Sequence, residues 1–289
     1  MDRQGIITSE AAAPMGATPG ATRVVPRVRP DLMNVFLVPA AAFALFVVVP
    51  LVALTWRAVQ AGGLLDSLQK PIVREALRLS LLTSTVTLVI VIVFGTPLAY
   101  LLARASFPGR RVLDTIVDLP IVLPPVVAGV ALLMAFGRRG VFGDALGRAG
   151  VELAFTTPAV VMAQVFVSAP FYTRAARAGF QSVDVALEQM AYTLGASRLR
   201  TFFRVTLPLA LPALAGGLML CWARALSEFG ATMMFAGNFR GTTQTMSLAV
   251  MTAMQSDLYA ALAIAVVLLA VSFAVLLAFR LISREGARP

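Results

Sequence analysis

Residues 258–279 read LYAALAIAVVLLAVSFAVLLAF, an uninterrupted run without a charged side chain. As an α-helix with about 1.5 Å of rise per residue, a run of this length crosses the roughly 30 Å hydrocarbon core of a bilayer. A charge at the centre of such a helix costs about 2.5–3.5 kcal/mol, so membrane spans stand out as charge-free windows. This stretch therefore predicts an all-α membrane protein.

Five further charge-free windows of bilayer length precede this run. The six predicted spans are Leu32–Trp56, Leu79–Ala103, Leu119–Gly137, Leu153–Thr173, Val205–Ala223 and Leu258–Phe279. Between the last two, residues 225–256 are Gly-rich and carry only Glu228 and Arg240, so we expect a re-entrant or short interfacial segment rather than a seventh span. Residues 1–30 lack an apolar run and predict a disordered cytoplasmic tail, which leaves 31–285 as the transmembrane domain.

The composition of the whole chain fits a bilayer and leaves little catalytic chemistry. Of 289 residues, 59% are hydrophobic and 13% are charged, about half the charged fraction of a typical soluble domain. The chain has no His and one Cys, which removes the commonest general base and any thiolate metal cage. Lys70, its one lysine, precedes Pro71, where a P-loop requires Ser or Thr. We therefore expect no enzyme activity, metal or cofactor in this chain.

The placement of the basic residues predicts the orientation. With the N-terminus in the cytoplasm, fifteen of the 24 Lys and Arg residues lie on the cytoplasmic side of the predicted spans and nine on the other. The positive-inside rule then places both termini in the cytoplasm. The arginines form no basic stripe, so the net charge of +10 reports topology rather than binding to nucleic acid.

Two of the predicted spans are short and interrupted by proline: the third contains Pro124 and Pro125, and the fifth contains Pro208 and Pro212. A proline removes a backbone donor, and in lipid the freed carbonyl needs a protein or water partner. Short segments of this kind point to a transport pathway, for which Pro124 and Pro125 are the candidates. For Pro120 and Pro208, simple helix starts are an equally good interpretation.

Two acids, Asp114 and Asp118, lie one helical turn apart before the third span and close to Arg110 and Arg111. A local ion-pair cluster is the favoured interpretation, and a proton relay is the alternative. Because no predicted span carries an acid near its centre, proton coupling has no evident carrier. The first, second and sixth windows lack internal polar pairs and predict ordinary packing or lipid-facing helices.

The segment between the fourth and fifth spans, residues 184–207, has the pattern of a helical hairpin. Gly195 stands where the first helix needs a left-handed C-cap, and Ser197 can cap the second. Apolar residues on a water-facing hairpin indicate docking into a groove on another protein. The apolar positions that share its two helix faces are Leu187, Met190, Ala191 and Leu194, and then Leu199, Phe202 and Phe203.

This hairpin resembles the cytoplasmic EAA loop of the permease subunits of bacterial ATP-binding-cassette importers. That loop runs Glu-Ala-Ala, three residues, Gly, and then some dozen residues to an apolar residue and Pro. Gly195 and Pro208 keep this spacing and Ala191 matches, whereas Gln189 and Met190 replace the first Glu and Ala, with Glu188 one position earlier.

A second stretch refines the resemblance. Residues 224–238, RALSEFGATMMFAGN, resemble the sequence after the fifth span in molybdate/tungstate permeases. Sulfate permeases tend to carry Tyr and Ser in place of Phe229 and Ala231.

The resemblance covers residues 30–285 and implies a type I importer permease fold, with six transmembrane helices and cytoplasmic termini in a bacterial inner membrane. It implies a homodimer, cytoplasmic P-loop ATPase subunits that bind ATP and Mg, and an extracytoplasmic oxyanion-binding protein. The implied function is import of molybdate- or tungstate-type oxyanions. A sulfate/thiosulfate permease is an alternative, as is a secondary transporter or channel that needs no ATPase.

The resemblance also assigns residues. The hairpin residues implied to couple to the ATPase are Glu188, Gln189, Ala191, Gly195, Ala196, Ser197 and Phe202. The pathway or gate candidates are Pro124 and Pro125, from the proline pattern, and Glu228, Phe229 and Gly230, from the resemblance. For Glu228, an ion pair with Arg224 one turn earlier is the structural alternative, and a binding-protein-docking role is a further one.

Overall fold

The computed structural model describes residues 30–60, 62 and 69–285, and all regular structure in these ranges is helical. The expected tail, apart from Pro30, lies outside the described residues. The helices are α1 (Pro30–Gln60), α2 (Pro71–Ile90), α3 (Thr96–Arg104), α4 (Arg110–Val122), α5 (Pro125–Phe136), α6 (Gly143–Arg148), α7 (Thr157–Ser182), α8 (Val185–Thr193), α9 (Arg198–Thr201), α10 (Leu207–Leu226), α11 (Gly230–Phe235), α12 (Met246–Met254) and α13 (Leu258–Glu285).

The chain divides into two units, Met1–Leu51 and Val52–Pro289. The described part of the first unit is the N-terminal portion of α1, which is apolar and contains Pro39 and Pro50. The second unit contains the end of α1 and all the remaining helices, including both regions that the sequence singles out as functional.

Within the described ranges, four helical stretches are long and apolar enough to cross a membrane: Val35–Gln60, Pro71–Arg104, Arg198–Leu226 and Leu258–Phe279. The pair α4 and α5 supplies a fifth candidate if the two count as one bent span. The all-α membrane class is confirmed. The predicted fourth span corresponds to α7, which is 26 residues long but carries arginines and a buried glutamine. The count of six and the cytoplasmic termini stay predictions.

The predicted third span is not one helix. α4 ends at Val122, α5 begins at Pro125, and the helix direction bends by 120° from one to the other. The residue before a proline is pushed out of the helical region, and this rule acts twice in succession here. Leu123 and Pro124 each precede a proline, and each adopts a ψ of 133°.

Two π-helical turns, Val91–Gly95 and Phe202–Thr206, join α2 to α3 and α9 to α10, so that each pair forms one continuous helix. Each turn ends two residues before a proline, Pro97 or Pro208. A proline cannot donate to the carbonyl four residues earlier and clashes with it, and a widened turn relieves that clash. Pro208 thus follows a widened turn inside a continuous helix, and Pro120 lies inside α4, so neither marks the start of a span.

The centre of the second unit is the crossing of α7 and α10. A Cβ atom added to Gly179 would lie 2.6 Å from the Cβ of Ala213, and one added to Gly217 would lie 2.7 Å from the Cβ of Ala175. Small residues on both helices therefore allow their backbones to approach closely, as they do in many membrane-protein interfaces. Tyr172 and other buried side chains fill the space around this crossing.

The second predicted span departs from the expectation of a plain packing helix. α2 carries a buried polar stripe of Ser80, Thr83, Ser84 and Thr87 at helical spacing. The Thr87 hydroxyl donates to Gln164 Oε1 at 3.0 Å, and Gln164 Nε2 donates to Thr83 Oγ1 at 3.2 Å. These bonds connect α2 to α7 inside the protein, where a polar group without a partner is costly.

Residues 225–256 form two short helices, α11 and α12, and contain no helix of spanning length. α11 packs on α5 and α7, and α12 packs on α2 and α13. The Ser80 hydroxyl accepts a hydrogen bond from the Met246 backbone N–H at 2.8 Å. The segment is therefore buried against protein, in agreement with the sequence.

Candidate functional site

The first helix of the hairpin, α8, has a defined cap at each end. Its first turn is capped by Asp184, whose Oδ1 accepts the Ala186 N–H at 2.9 Å. At the other end, Gly195 has a φ of +82°, and Ala196 donates its N–H to the Ala191 carbonyl at 3.0 Å. This is a Schellman-type ending, in which the left-handed residue is usually glycine. The predicted left-handed cap is confirmed.

The second hairpin helix is not a separate element. Ser197 does cap it, accepting the Arg200 N–H at 3.4 Å. From Arg198, however, the helix continues through α9, the π-helical turn and α10 to Leu226. The second part of the hairpin is therefore continuous with the predicted fifth span.

Several apolar side chains of the hairpin are exposed, together with the arginines Arg198, Arg200 and Arg204. Leu194 is 87% exposed, Leu199 is 72% exposed, and Met190 and Phe203 are also exposed. Exposed apolar clusters of this kind mark interaction sites in soluble regions of proteins. Met190 lies on α8 and Leu194 directly follows it, whereas Leu199 and Phe203 belong to the helix that begins at Arg198.

Glu188 points away from that surface. Its side chain is 8% exposed, and its Oε1 lies 2.9 Å from Arg104 Nη2, at the end of α3. The same oxygen accepts a hydrogen bond from the Thr206 hydroxyl at 2.8 Å, and Arg104 Nη2 also donates to the Val183 carbonyl at 2.9 Å. We call Arg104, Val183, Glu188 and Thr206 the Glu188 cluster. It connects the ends of α3 and α7, the hairpin and the last residue before α10.

Phe202 is also directed inward. Its ring lies 5.0 Å from that of Tyr100 in an edge-to-face arrangement and 6.0 Å from that of Phe180. The predicted coupling residues therefore form two groups. Glu188 and Phe202 pack within the chain, whereas Gln189, Gly195 and Ser197 are exposed and Ala191 and Ala196 are half-buried.

The second functional region lies at the other end of α10. The carboxylate of Glu228 is fully buried, and its Oε2 lies 2.8 Å from Arg224 Nη1. Its Oε1 accepts the Ala231 N–H at 2.8 Å, and the Ser247 hydroxyl donates to the Glu228 backbone carbonyl at 2.7 Å. The ion-pair interpretation is confirmed. Glu228 also fixes the start of α11, because one of its oxygens is bound there.

The proline pair and the Glu228 region, about a hundred residues apart in sequence, lie together in the structure. A Cβ added to Gly230 would lie 2.9 Å from the Cβ of Pro125, and one added to Gly129 would lie 2.7 Å from the Ala231 carbonyl oxygen. α11 therefore rests directly on the first turns of α5. Pro124 and Phe229 are exposed beside this contact.

The expected local cluster of Asp114 and Asp118 with Arg110 and Arg111 is wrong. Asp114 pairs with Arg177, and Asp118 lies 3.8 Å from Arg174, so both acids face α7 rather than their own helix. The two acids are four residues apart and the two arginines are three apart, so each set lies about one helical turn apart and two ion pairs form between the helices. These pairs attach α4 to α7, and α5 is attached separately to α11.

Sequence reasoning missed Arg104 and Thr206, which complete the Glu188 cluster. In the sequence, Arg104 indicates only topology, and Thr206 stands out only as a residue close to Pro208. Arg104 ends α3 whereas Thr206 lies inside a continuous helix, so the two residues share no local signal. In the part of the chain that the structure describes, no three His, Cys, Asp or Glu side chains lie close enough to hold a metal ion.

A family model described as "Binding-protein-dependent transport system inner membrane component" matches residues 95–285, which include the hairpin and the Glu228 region. Among curated proteins, the molybdenum transport system permease protein ModB of Mycobacterium tuberculosis is 40% identical over 247 residues, covering 86% of this chain and 93% of that protein. ModB of Escherichia coli K12 is 45% identical over 183 residues, covering 63% and 80%.

The molybdate/tungstate transport system permease protein WtpB of Pyrococcus abyssi is 41% identical over 192 residues, covering 66% of this chain and 72% of that protein. Among solved structures, a bacterial ABC transporter involved in the import of the acidic polysaccharide alginate matches with a TM-score of 0.72 and 21% identity. The match covers 89% of this chain and 96% of that one, so the two share a fold.

Proposed function

The chain belongs to the family of binding-protein-dependent transport system inner membrane components, and from that premise we propose that it is the permease subunit of an ATP-driven importer for molybdate/tungstate-type oxyanions. The observation that supports this substrate class is the identity of 40–45% to permeases named for molybdenum or for molybdate and tungstate. The stretch around Glu228, which resembles the molybdate/tungstate branch, supports the same substrate class.

The energy would come from a partner. The chain has no lysine in a P-loop setting, and the hairpin offers exposed apolar side chains and exposed arginines to a cytoplasmic ATPase. We propose that P-loop ATPase subunits bind here and hold the ATP and Mg. A homodimer in the bacterial inner membrane, with both termini cytoplasmic and an extracytoplasmic oxyanion-binding protein, completes the proposed assembly.

We place the gate at the contact of α5 with α11. Gly230 at the start of α11 packs closely against Pro125 at the start of α5, and Pro124 and Phe229 are exposed beside this contact. Glu228 holds the start of α11 through Ala231, so a movement of the end of α10 also moves α11. Alternating access would then open and close this contact as the ATPases bind and hydrolyse ATP.

The test is transport by purified components in proteoliposomes. The permease is reconstituted with its ATPase and binding protein, and uptake of labelled molybdate is measured with ATP, without ATP, and with excess tungstate or sulfate. We expect ATP-dependent uptake that tungstate abolishes and sulfate at the same concentration leaves largely intact. Equal competition by sulfate would indicate a sulfate/thiosulfate permease. Uptake that is independent of ATP and abolished by a protonophore would refute the importer.

A further inference from the structure

The Glu188 cluster is buried, whereas the apolar residues Met190 and Leu194 of the hairpin are exposed. We propose that Glu188 is a positioning residue that transmits movement from the hairpin to the ends of the membrane helices, and that it makes no contact with the ATPase. This inference rests on the proposed function. It reassigns Glu188 from the docking surface, where the resemblance placed it, to the connection behind that surface.

The first argument is burial combined with pairing. The Glu188 side chain is 8% exposed and its Oε1 already accepts hydrogen bonds from both Arg104 and Thr206. A carboxylate in this position has almost no surface to offer to a partner protein. The neighbouring Gln189 and Met190 are exposed, so the docking surface and Glu188 lie on opposite sides of α8.

The second argument is the set of elements that the cluster connects. Arg104 ends the long helix that begins at Pro71, and Thr206 lies in the long helix that ends at Leu226. Arg104 also donates to the carbonyl of Val183, directly after α7. The Glu188 carboxylate therefore connects α8 to two long helices, and Arg104 extends the connection to the end of α7. A displaced α8 cannot keep these contacts unless the helix ends move with it.

The third argument is that the cluster adjoins a deformable turn. Thr206 is the last residue of the π-helical turn Phe202–Thr206, and π-helical turns interrupt the regular hydrogen-bond ladder and often lie at functional hinges. Within the described residues, Arg104 Nε and Thr201 Oγ1 are buried without a hydrogen-bond partner. Arg104 Nε therefore gives the cluster one spare donor for a second arrangement, and Thr201 supplies another on the helix that contains Thr206.

The experiment separates docking from transmission. The reconstituted importer carries Glu188→Gln, Thr206→Val or Leu194→Glu in the permease, with Glu152→Gln as a matched control. Glu152 lies in an exposed pair with Arg138, with 3.8 Å between the charged atoms. Three quantities are measured for each variant: co-purification of the ATPase, the rate of ATP hydrolysis, and the number of ATP molecules hydrolysed per molybdate imported.

We expect Leu194→Glu to lose co-purification at least tenfold. Glu188→Gln should keep co-purification and hydrolysis within about twofold of wild type, while ATP hydrolysed per molybdate rises at least tenfold. Thr206→Val, which removes one contact and leaves the charge pair intact, should raise that ratio by a smaller factor and thus tests the connection even if Glu188→Gln fails to fold. Glu152→Gln should match wild type.

Two results would overturn the inference. If Glu188→Gln released the ATPase as Leu194→Glu does, Glu188 would belong to the docking surface. If both Glu188→Gln and Thr206→Val imported molybdate at the wild-type ratio, the cluster would transmit nothing. Failure of the proposed function is distinct from either result, because the wild-type protein itself would then show no ATP-dependent uptake.

Discussion

Replacing Gly217 with Ala tests the crossing of α7 and α10, the close helix contact at the centre of the second unit. The added methyl carbon would lie 2.7 Å from the Cβ of Ala175, whereas carbon atoms in contact prefer about 3.5–4.0 Å. The two helices must therefore separate by a substantial fraction of an ångström. Removing the opposing methyl group, in the double variant Ala175→Gly with Gly217→Ala, relieves that overlap.

The magnitude follows from a double-mutant cycle. Overpacking of this kind costs about 1–3 kcal/mol, while alanine gains up to about 1 kcal/mol over glycine in a helix. The single variant Gly217→Ala therefore loses up to about 3 kcal/mol of unfolding free energy. The helix-propensity terms of the two positions cancel in the cycle, so the coupling energy isolates the steric contact and should be about 1–3 kcal/mol in favour of the double variant.

The assay is equilibrium unfolding of the four purified proteins in detergent, with molybdate uptake measured in parallel. We expect Gly217→Ala to reduce both stability and uptake and the double variant to recover most of each. A coupling energy within about 0.5 kcal/mol of zero would refute the close contact, since distant sites behave additively within that range. Reduced stability of Gly217→Ala with wild-type uptake would show that the crossing holds the fold and has no part in the movement.

Three further substitutions test the hairpin and the gate. Gly195→Ala places a side chain at a φ of +82°, so we expect about 1–2 kcal/mol of backbone strain and weaker ATPase co-purification. Gly147→Ala is the control, because it also adds a methyl group in open space but lacks a positive φ, and it should be neutral in both measurements. Ser197→Ala removes the cap of the continuous helix and should cost about 0.5–2 kcal/mol in a detergent unfolding assay, whereas an unchanged unfolding free energy would exclude the cap. Gly129→Ala adds a methyl group 2.7 Å from the Ala231 backbone oxygen, so α5 and α11 must separate. We expect molybdate uptake to fall at least tenfold with ATPase binding intact, and uptake at the wild-type rate would rule out a tight gate there.

The sequence predicted well those features whose cause is local. Charge-free windows locate apolar helices because each charge has its own desolvation cost, whatever lies nearby. Gly195 was identified as a left-handed cap because the helix ending is built within a few residues. The break at Leu123 and Pro124 had an equally local cause, but hydropathy alone treated the window as one span because it does not register the backbone angles that proline imposes.

Features that depend on distant partners could not be predicted. Glu188 and Arg104 are 84 residues apart, and no spacing rule connects them. Asp114 was assigned to nearby arginines because helical neighbours are the only partners that a sequence displays, although its partner lies on α7. The sequence predicts a plain packing helix for α2, because Gln164, the partner of its polar stripe, is on another helix.

The two functional regions are joined by a single rod. The helix Arg198–Leu226 has 29 residues, so at about 1.5 Å of rise per residue it is roughly 43 Å long, apart from the widened turn. Its close contacts with α7 at Ala213 and Gly217 lie about midway between Thr206 in the Glu188 cluster and Arg224 beside Glu228. The π-helical turn near its start is deformable, but Glu188 holds α8 to Thr206 at the end of that turn. From Leu207 onward, a rigid helix that pivots near its midpoint moves its two ends by similar distances in opposite directions. A lateral displacement of the hairpin would therefore reach the contact between α11 and α5 with little loss of amplitude, and a residue that loosens either end would break the same mechanical connection.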